Sequence, residues 1–425
     1  MTKKQADLLI INASELLTLN GPKRARRGRE LRALAIIKEG AVSIRAGKIE
    51  AAGNTGEILK RYEAKKNNIL DAAGKTVMPG FVDAHTHLIF AGSRENELLM
   101  KLDGKSYMEI LEAGGGILNT VKATRNATKK QLVAEAVGRL DRMLLHGTTS
   151  LEAKTGYGLT LKDELKSLEA LETLQRNHSC DIVPTFLGAH AIPPEYNDKC
   201  KDKRNHKNPD GYVDLIIGKM LPKVKKRAAF CDVFCEDGAF SIEQSRKILK
   251  AAQDYGMGLK LHADEFADTG GAALAAELKA TSAEHLLRSN RDGIRKMAKS
   301  GVIGVLLPAA AFSLMGNRYA DARYMVESGL PIALGTDLCP NSWTESMQFV
   351  VRLACYNMKL TPAEAISAAT INSAYAIGTG SDAGSIEAGK KADIIILNAP
   401  NHLHIAYRLG VNLVEKVVKS GKVVA

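Results

Sequence analysis

Eight short apolar segments rich in β-branched residues, each ended by polar or small residues and followed by a stretch of helical period, organise most of the chain. They end at His87 and near residues 149–153, 186–190, 233–237, 259–264, 282–285, 303–308 and 332–337. Residues 129–146, 161–178, 242–255 and 291–300, lying between them, have the length and period of helices. Strand and helix in alternation argue for a parallel sheet. With eight strands its commonest closure is a (β/α)8 barrel, the TIM-like form of the α/β class.

The flanks are of another kind. Ala6-Asp7-Leu8-Leu9-Ile10-Ile11-Asn12 is echoed by Ala392-Asp393-Ile394-Ile395-Ile396-Leu397-Asn398, and Arg45-Ala46-Gly47-Lys48-Ile49 by Lys419-Ser420-Gly421-Lys422-Val423. Both ends spell strands and glycine-turn hairpins. The expectation is a small β-sandwich domain composed of residues 1–60 and 380–425, with the barrel over residues 61–379 inserted between its halves.

Several classes are disfavoured. The apolar run from Leu8 to Ile11 is far too short for a signal peptide or a membrane span, so a cytoplasmic protein with no membrane partner is expected. The six cysteines are scattered, as suits reduced thiols, and Cys231 and Cys235 in one apparent strand stand roughly 13 Å apart, too far to share an ion. The net charge of +12 gathers at residues 23–32, 199–207 and 219–227, without aromatic interleaving or any DNA-binding spacing. Nucleic acid is therefore not an expected partner, whereas a small anionic substrate is compatible with the excess charge.

Barrel enzymes build their sites at the C-terminal ends of the strands. There the sequence puts His85 and His87, Tyr157, His190, His262 with Glu265, His285 and Asp337. Residues i and i+2 of a strand face one way, so His85 and His87 can reach one ion. With His262 and Asp337 they make three nitrogens and a carboxylate, a normal set for one zinc or iron ion. Such an ion supplies hydroxide at neutral pH, which points to hydrolysis. Glu265, three residues past His262, is placed to carry protons, and His285 to polarise a carbonyl. Asp337 thus serves both as ligand and in the chemistry. Strand four ends in Cys235-Glu236-Asp237-Gly238, so it offers no lysine to bridge two metals. Lys260 lies deeper, as barrel filling, and one metal is expected.

Pro79-Gly80-Phe81-Val82-Asp83-Ala84-His85-Thr86-His87, His262-Ala263-Asp264-Glu265, Gly335-Thr336-Asp337 and Ala388-Gly389-Lys390-Lys391-Ala392-Asp393 together resemble the metal-dependent amidohydrolase superfamily over nearly the whole chain. Phe90-Ala91-Gly92-Ser93-Arg94, Gly114-Gly115-Gly116-Ile117, Lys154-Thr155-Gly156-Tyr157-Gly158-Leu159 and the run from Leu187 to Tyr196 are similar, more narrowly, to the imidazolonepropionase family. That resemblance implies opening of the ring of 4-imidazolone-5-propanoate by water, giving N-formimino-L-glutamate in histidine degradation. It also implies that Arg94, Tyr107, Tyr157 and His190 hold the substrate, beside Glu265, and that the enzyme is a homodimer. An arginine fork suits the propionate carboxylate. The chain departs from the family after Asp337, where Leu338-Cys339-Pro340-Asn341-Ser342 replaces the usual Asn-Pro-Gly. Cys339, Asn341 and Ser342 therefore enter the expected substrate site with contacts of their own. Two other readings stand beside this one: a deaminase of a cytosine-like or aminoimidazole ring, to which Arg94 and Tyr157 would be of no use, and a scaffold protein without catalysis, which would have no need of a full ligand set.

Overall fold

The computed structural model describes residues 3–105, 109–110, 115–196, 208–315 and 318–425. Tyr107, Gly114 and the basic run 199–207 lie outside the described residues. Eight parallel strands, β1 (Phe81–Asp83), β2 (Thr148–Lys154), β3 (Asp181–Ala189), β4 (Phe230–Cys235), β5 (Gly258–Ala263), β6 (Ser282–His285), β7 (Ile303–Leu306) and β8 (Ile332–Leu334), pair in chain order. The last then meets the first: Ala84 N donates to Leu334 O at 3.3 Å and Asp337 N to His85 O at 3.0 Å, and Thr86 bridges Leu338. This is the expected (β/α)8 barrel.

The helices start where the sequence satisfies their first N–H groups. Thr128 with Gln131 caps Lys129–Leu145, and Ser241 with Gln244 caps Ile242–Asp254, each as a capping box. Leu132, Ala136, Leu140 and Met143 form the buried stripe of the first of these, packed with Leu151 and Ala153 from the outer face of β2 in one large core between helices and sheet.

The inner face of the barrel is polar. Glu152 and Lys154 of β2, Asp232 of β4, Lys260 of β5, and Ser282 and Glu284 of β6 all have no exposed surface. Lys260 is buried filling as expected, its ammonium set among the Phe230 ring, the Ser282 hydroxyl and the Glu284 carboxylate.

Outside the barrel, a six-stranded sheet joins Glu15–Leu17, Ile36–Ile37 and Thr76–Pro79 to Ile394–Leu397, Val414–Lys419 and Lys422–Val423. A four-stranded sheet joins Leu8–Ala13, Gly40–Arg45, Lys48–Asn54 and Ile69–Asp71. Ile69–Asp71 and Thr76–Pro79 pair in these sheets although they lie past residue 60. Two hairpins turn at Ala46-Gly47 (φ 50° and 76°) and Ser420-Gly421 (φ 46° and 77°). Positive φ at both central residues is the turn whose twist matches paired strands. Lys419 Nζ reaches Asp393 at 2.6 Å and Asp181, the first residue of β3, at 2.7 Å. The flanking sheet is thus tied to the N-terminal end of the barrel, opposite the histidines. Among the described residues no helix is long and apolar enough to cross a membrane.

Candidate active site

The first strand leaves its ladder at Asp83 rather than at His87, because the chain there bonds sideways to the end of β8. Asp83 accepts from Thr336 Oγ1 at 2.6 Å, Thr336 N at 3.0 Å and His85 N at 3.3 Å. Thr86 turns the other way, donating from Oγ1 to Glu152 O at 2.7 Å. The alternation continues past the strand, so His85 and His87 share a side. Their Nε2 atoms stand 3.3 Å apart, each 3.4 Å from Asp337 Oδ1. Asp337 at φ 52° and His285 at φ 68° occupy the left-handed region, which turns both side chains off their strand ends.

The His262 ring lies 4.6 Å from that of His85. Its Nδ1 is 3.1 Å from Asp232 Oδ1, and its buried Nε2 has no hydrogen-bond partner among the described residues. An orphaned buried nitrogen costs free energy unless something electrophilic meets it. The donor set fits an ion. About 3.4 Å is also the edge of a tetrahedron with bonds of about 2.1 Å, the usual span of nitrogen and oxygen ligands about zinc. His85, His87, His262 and Asp337 are all buried, and each of them belongs to a cluster with ligand-like spacing. Burial first, then the nearby Lys154 charge, holds His85 and His262 well below the usual histidine range and His87 at about 3. The rings are therefore neutral at pH 7, the state in which an imidazole nitrogen can bind a metal.

Glu265 Oε2 stands 3.6 Å from His285 Nε2, with its side chain 11% exposed toward the barrel mouth. Burial first, then the charges of Asp337 and Glu236, pushes its carboxyl well above the usual range. Burial also lifts Asp337 to about 6 and depresses His285 to about 3.

The His190 ring stacks on His87 at 4.8 Å, its Nδ1 held 3.1 Å from Gly156 O, and Tyr157 lies 5.1 Å from it. Arg94 is not the solvated fork that its loop position suggests. Its Nε and Nη2 donate to Glu97 at 2.9 and 2.6 Å, and only 6% of its side chain is exposed. The edge left to a ligand is that of Nη1 and Nη2. A cavity of about 940 Å³ opens beside it, lined also by Lys101, Ser313, Asn341 and Trp343. The imidazoles lie beyond this cavity's wall. Trp343 packs on Phe90 and Phe90 on Tyr157, the ring next to His87. In the strand-eight loop Cys339 and Ser342 exchange backbone hydrogen bonds at 3.1 and 3.2 Å, and the Ser342 N–H also lies 3.3 Å from Cys339 Sγ. Asn341 Oδ1 accepts from Lys101 Nζ at 2.6 Å.

Sequence reasoning passed over Lys101, which is an unremarkable helix lysine until the fold sets it on this cavity. It also missed Asp83, Thr336, Glu152, Lys154, Asp232 and Glu284. A signal for the strand residues existed: Ser150-Leu151-Glu152-Ala153-Lys154 and Lys260-Leu261-His262 alternate polar with apolar, where strands buried on both faces are normally apolar throughout.

Residues 76–424 match the model of the Amidohydrolase family. The chain is 48% identical to the imidazolonepropionase of Alkaliphilus metalliredigens over 98% of both chains. It is 50% identical to that of Geobacillus kaustophilus over 98% of this chain and 97% of the relative. Among solved structures, an adenosine deaminase from Xanthomonas campestris with bound zinc superposes with a TM-score of 0.73 at 19% identity, covering 99% of this chain and 93% of the other. That last likeness is one of fold.

Proposed function

From the premise that the chain belongs to the amidohydrolase family, and within it to the imidazolonepropionases, we propose that it hydrolyses 4-imidazolone-5-propanoate to N-formimino-L-glutamate, a step of L-histidine degradation. The observation that carries this reading on the structural side is the meeting of a proton-carrying group and a buried ligand cluster at one end of the barrel, beside a cavity whose wall carries cations. The same reading takes the protein to be a homodimer in the cytoplasm.

His85, His87, His262 and Asp337 hold one zinc or iron ion in this account. When bound, such an ion makes water a nucleophile at neutral pH. The residues do the rest. Glu265 takes a proton from the attacking water. A carboxyl pushed above its usual range is a stronger base, and it keeps the proton until the ring nitrogen can receive it. His285 donates a hydrogen bond to the carbonyl oxygen of the ring. The water oxygen bonds to the carbonyl carbon, the ring carbon–nitrogen bond breaks, and the freed nitrogen takes the proton from Glu265. Tyr157 and His190 hold the ring, and Cys339, Asn341 and Ser342 border it from the strand-eight loop. Tyr107 is assigned to the same task by resemblance alone.

Elemental analysis of the pure protein should give close to one metal per chain, and two would overturn the mononuclear reading. Following ring opening by ultraviolet absorbance tests the function directly. A native enzyme that works as well on a neutral ring without the carboxylate refutes the substrate assignment.

The outer edge of Arg94, with Lys101 beside it, receives the substrate carboxylate. A hydrogen bond to a charged group contributes about 1.5–3 kcal/mol, so Arg94→Met should lower kcat/KM by roughly 10- to 100-fold. Metal content should stay unchanged. Full activity in that variant would remove Arg94 from substrate recognition.

A further inference from the structure

The charged layer inside the barrel takes no part in the reaction as derived above, and it lies directly beneath the ligand cluster. Five ionisable side chains, Glu152, Lys154, Asp232, Lys260 and Glu284, have no exposed surface. Lys154 Nζ is 2.7 Å from Glu152 Oε1 and 2.7 Å from Asp232 Oδ2. Asp232 in turn is held at both ends of the His262 residue: Oδ1 accepts from His262 N at 3.3 Å, and the carboxylate meets Nδ1 at 3.0–3.1 Å. On the other side, Lys260 Nζ is 2.9 Å from Ser282 Oγ and 3.4 Å from Glu284 Oε1, and Ser282 Oγ donates to the same oxygen at 2.5 Å.

This order of contacts solves a geometric problem. Asp232, His262 and Glu284 bring ligand atoms within 4.8 Å of one another, so unaided they could hold an ion in the wrong place, one layer below His85 and His87. Each carboxylate is instead engaged by an ammonium group: Asp232 by Lys154, which reaches across the barrel interior from β2, two strands away, and Glu284 by Lys260 of the adjacent β5. Asp232 is left with one task, to fix the His262 ring with Nε2 toward His85. A buried salt bridge is weak evidence of stabilisation, since desolvation offsets most of the attraction, but it is well suited to fixing one arrangement among several. Partners behind a ligating histidine fix its ring orientation in the same way.

We propose that Lys154 is a positioning residue of the metal centre: by pinning Asp232 it orients His262 so that Nε2 faces the ion, and it keeps Asp232 from becoming a ligand itself. The proposal rests on the reading that His262 binds the ion.

The test uses the full-length protein stripped of metal and reloaded with Zn²⁺ or Co²⁺. Zn²⁺ affinity is measured by competition with a chelator, and the Co²⁺ visible spectrum reports the geometry of the centre. Lys154→Met and Asp232→Asn should each weaken Zn²⁺ binding about 10- to 100-fold and alter the Co²⁺ bands, and the double variant should bind like Asp232→Asn alone. A folded Lys154→Met protein with unchanged affinity and spectrum overturns the proposal. So does a double variant whose losses are the product of the single ones. Should Lys154→Met alone fail to fold, the comparison of the double variant with Asp232→Asn decides by the same criterion. A wild-type protein whose Zn²⁺ affinity is unaffected by His262→Ala would instead refute the underlying ligand assignment.

Discussion

Replacing Glu265 with glutamine should leave the metal content at the wild-type level and lower kcat by about 10²- to 10⁴-fold, the usual worth of a positioned acid–base group. The substitution keeps the shape of the side chain and removes its ability to take and release a proton. Glu265 stands 3.6 Å from His285 at the mouth of the barrel, on the residue run that leaves β5 just after His262. It can therefore serve both the attacking water and the departing nitrogen. Its carboxyl, held above the usual range by burial and by Asp337 and Glu236, is a better base than an exposed glutamate. Turnover by ultraviolet absorbance and elemental analysis on one preparation check the prediction together. Unchanged turnover removes Glu265 from the mechanism, and a parallel fall in metal makes it a ligand instead.

The second large effect is expected at His262. His262→Ala deletes a buried nitrogen that has no hydrogen-bond partner among the described residues, and takes from Asp232 the ring it holds. Metal content should fall to background after dialysis against a chelator. Turnover should fall further than the roughly 10- to 100-fold that loss of a supporting hydrogen bond to a ligand costs. Far-ultraviolet dichroism should stay close to wild type, since the ring lies in the polar cluster at the strand ends and not in the helix–sheet core. A variant that retains stoichiometric metal would show that His85, His87 and Asp337 suffice.

The barrel was legible because its signals are local. Apolar runs separated by capped helices give strand and helix directly, and the helix over residues 291–300 is found where its period puts it. The convergence of His85 and His87 with Asp337 was legible for a related reason: the two histidines keep alternating beyond the strand, and strand ends converge in any barrel. What stayed hidden depends on contacts distant in sequence. Arg94 reads as a free cation until Glu97 is seen to occupy one edge of it, and Lys101 as a surface lysine until the fold brings Asn341 to its tip. The polar barrel interior was visible as alternation in β2 and β5, but which lysine meets which carboxylate was not: Asp232 lies opposite Lys260 in register, yet is met by Lys154, which crosses the barrel from β2. The reach of the flanking sheets past residue 60 escaped for the same reason. Thr76–Pro79 looks like the start of the barrel strand it leads into, and only pairing with Ile394–Leu397 assigns it elsewhere.

That pairing also sets an order of events on the ribosome. Ile394 lies opposite Pro79, 315 positions later in the chain (394 − 79). At about 5–20 residues per second, the edge of Thr76–Pro79 waits roughly 15–65 s for its neighbour to be synthesised. Val77 and Met78, fully enclosed in the finished protein, spend that interval beside an unpaired strand edge, the kind of surface on which nascent chains stick to one another. All eight barrel strands, the last ending at Leu334, are made between Pro79 and Ile394, so the open edge accompanies the folding of the whole barrel and is covered only after the last barrel strand is complete.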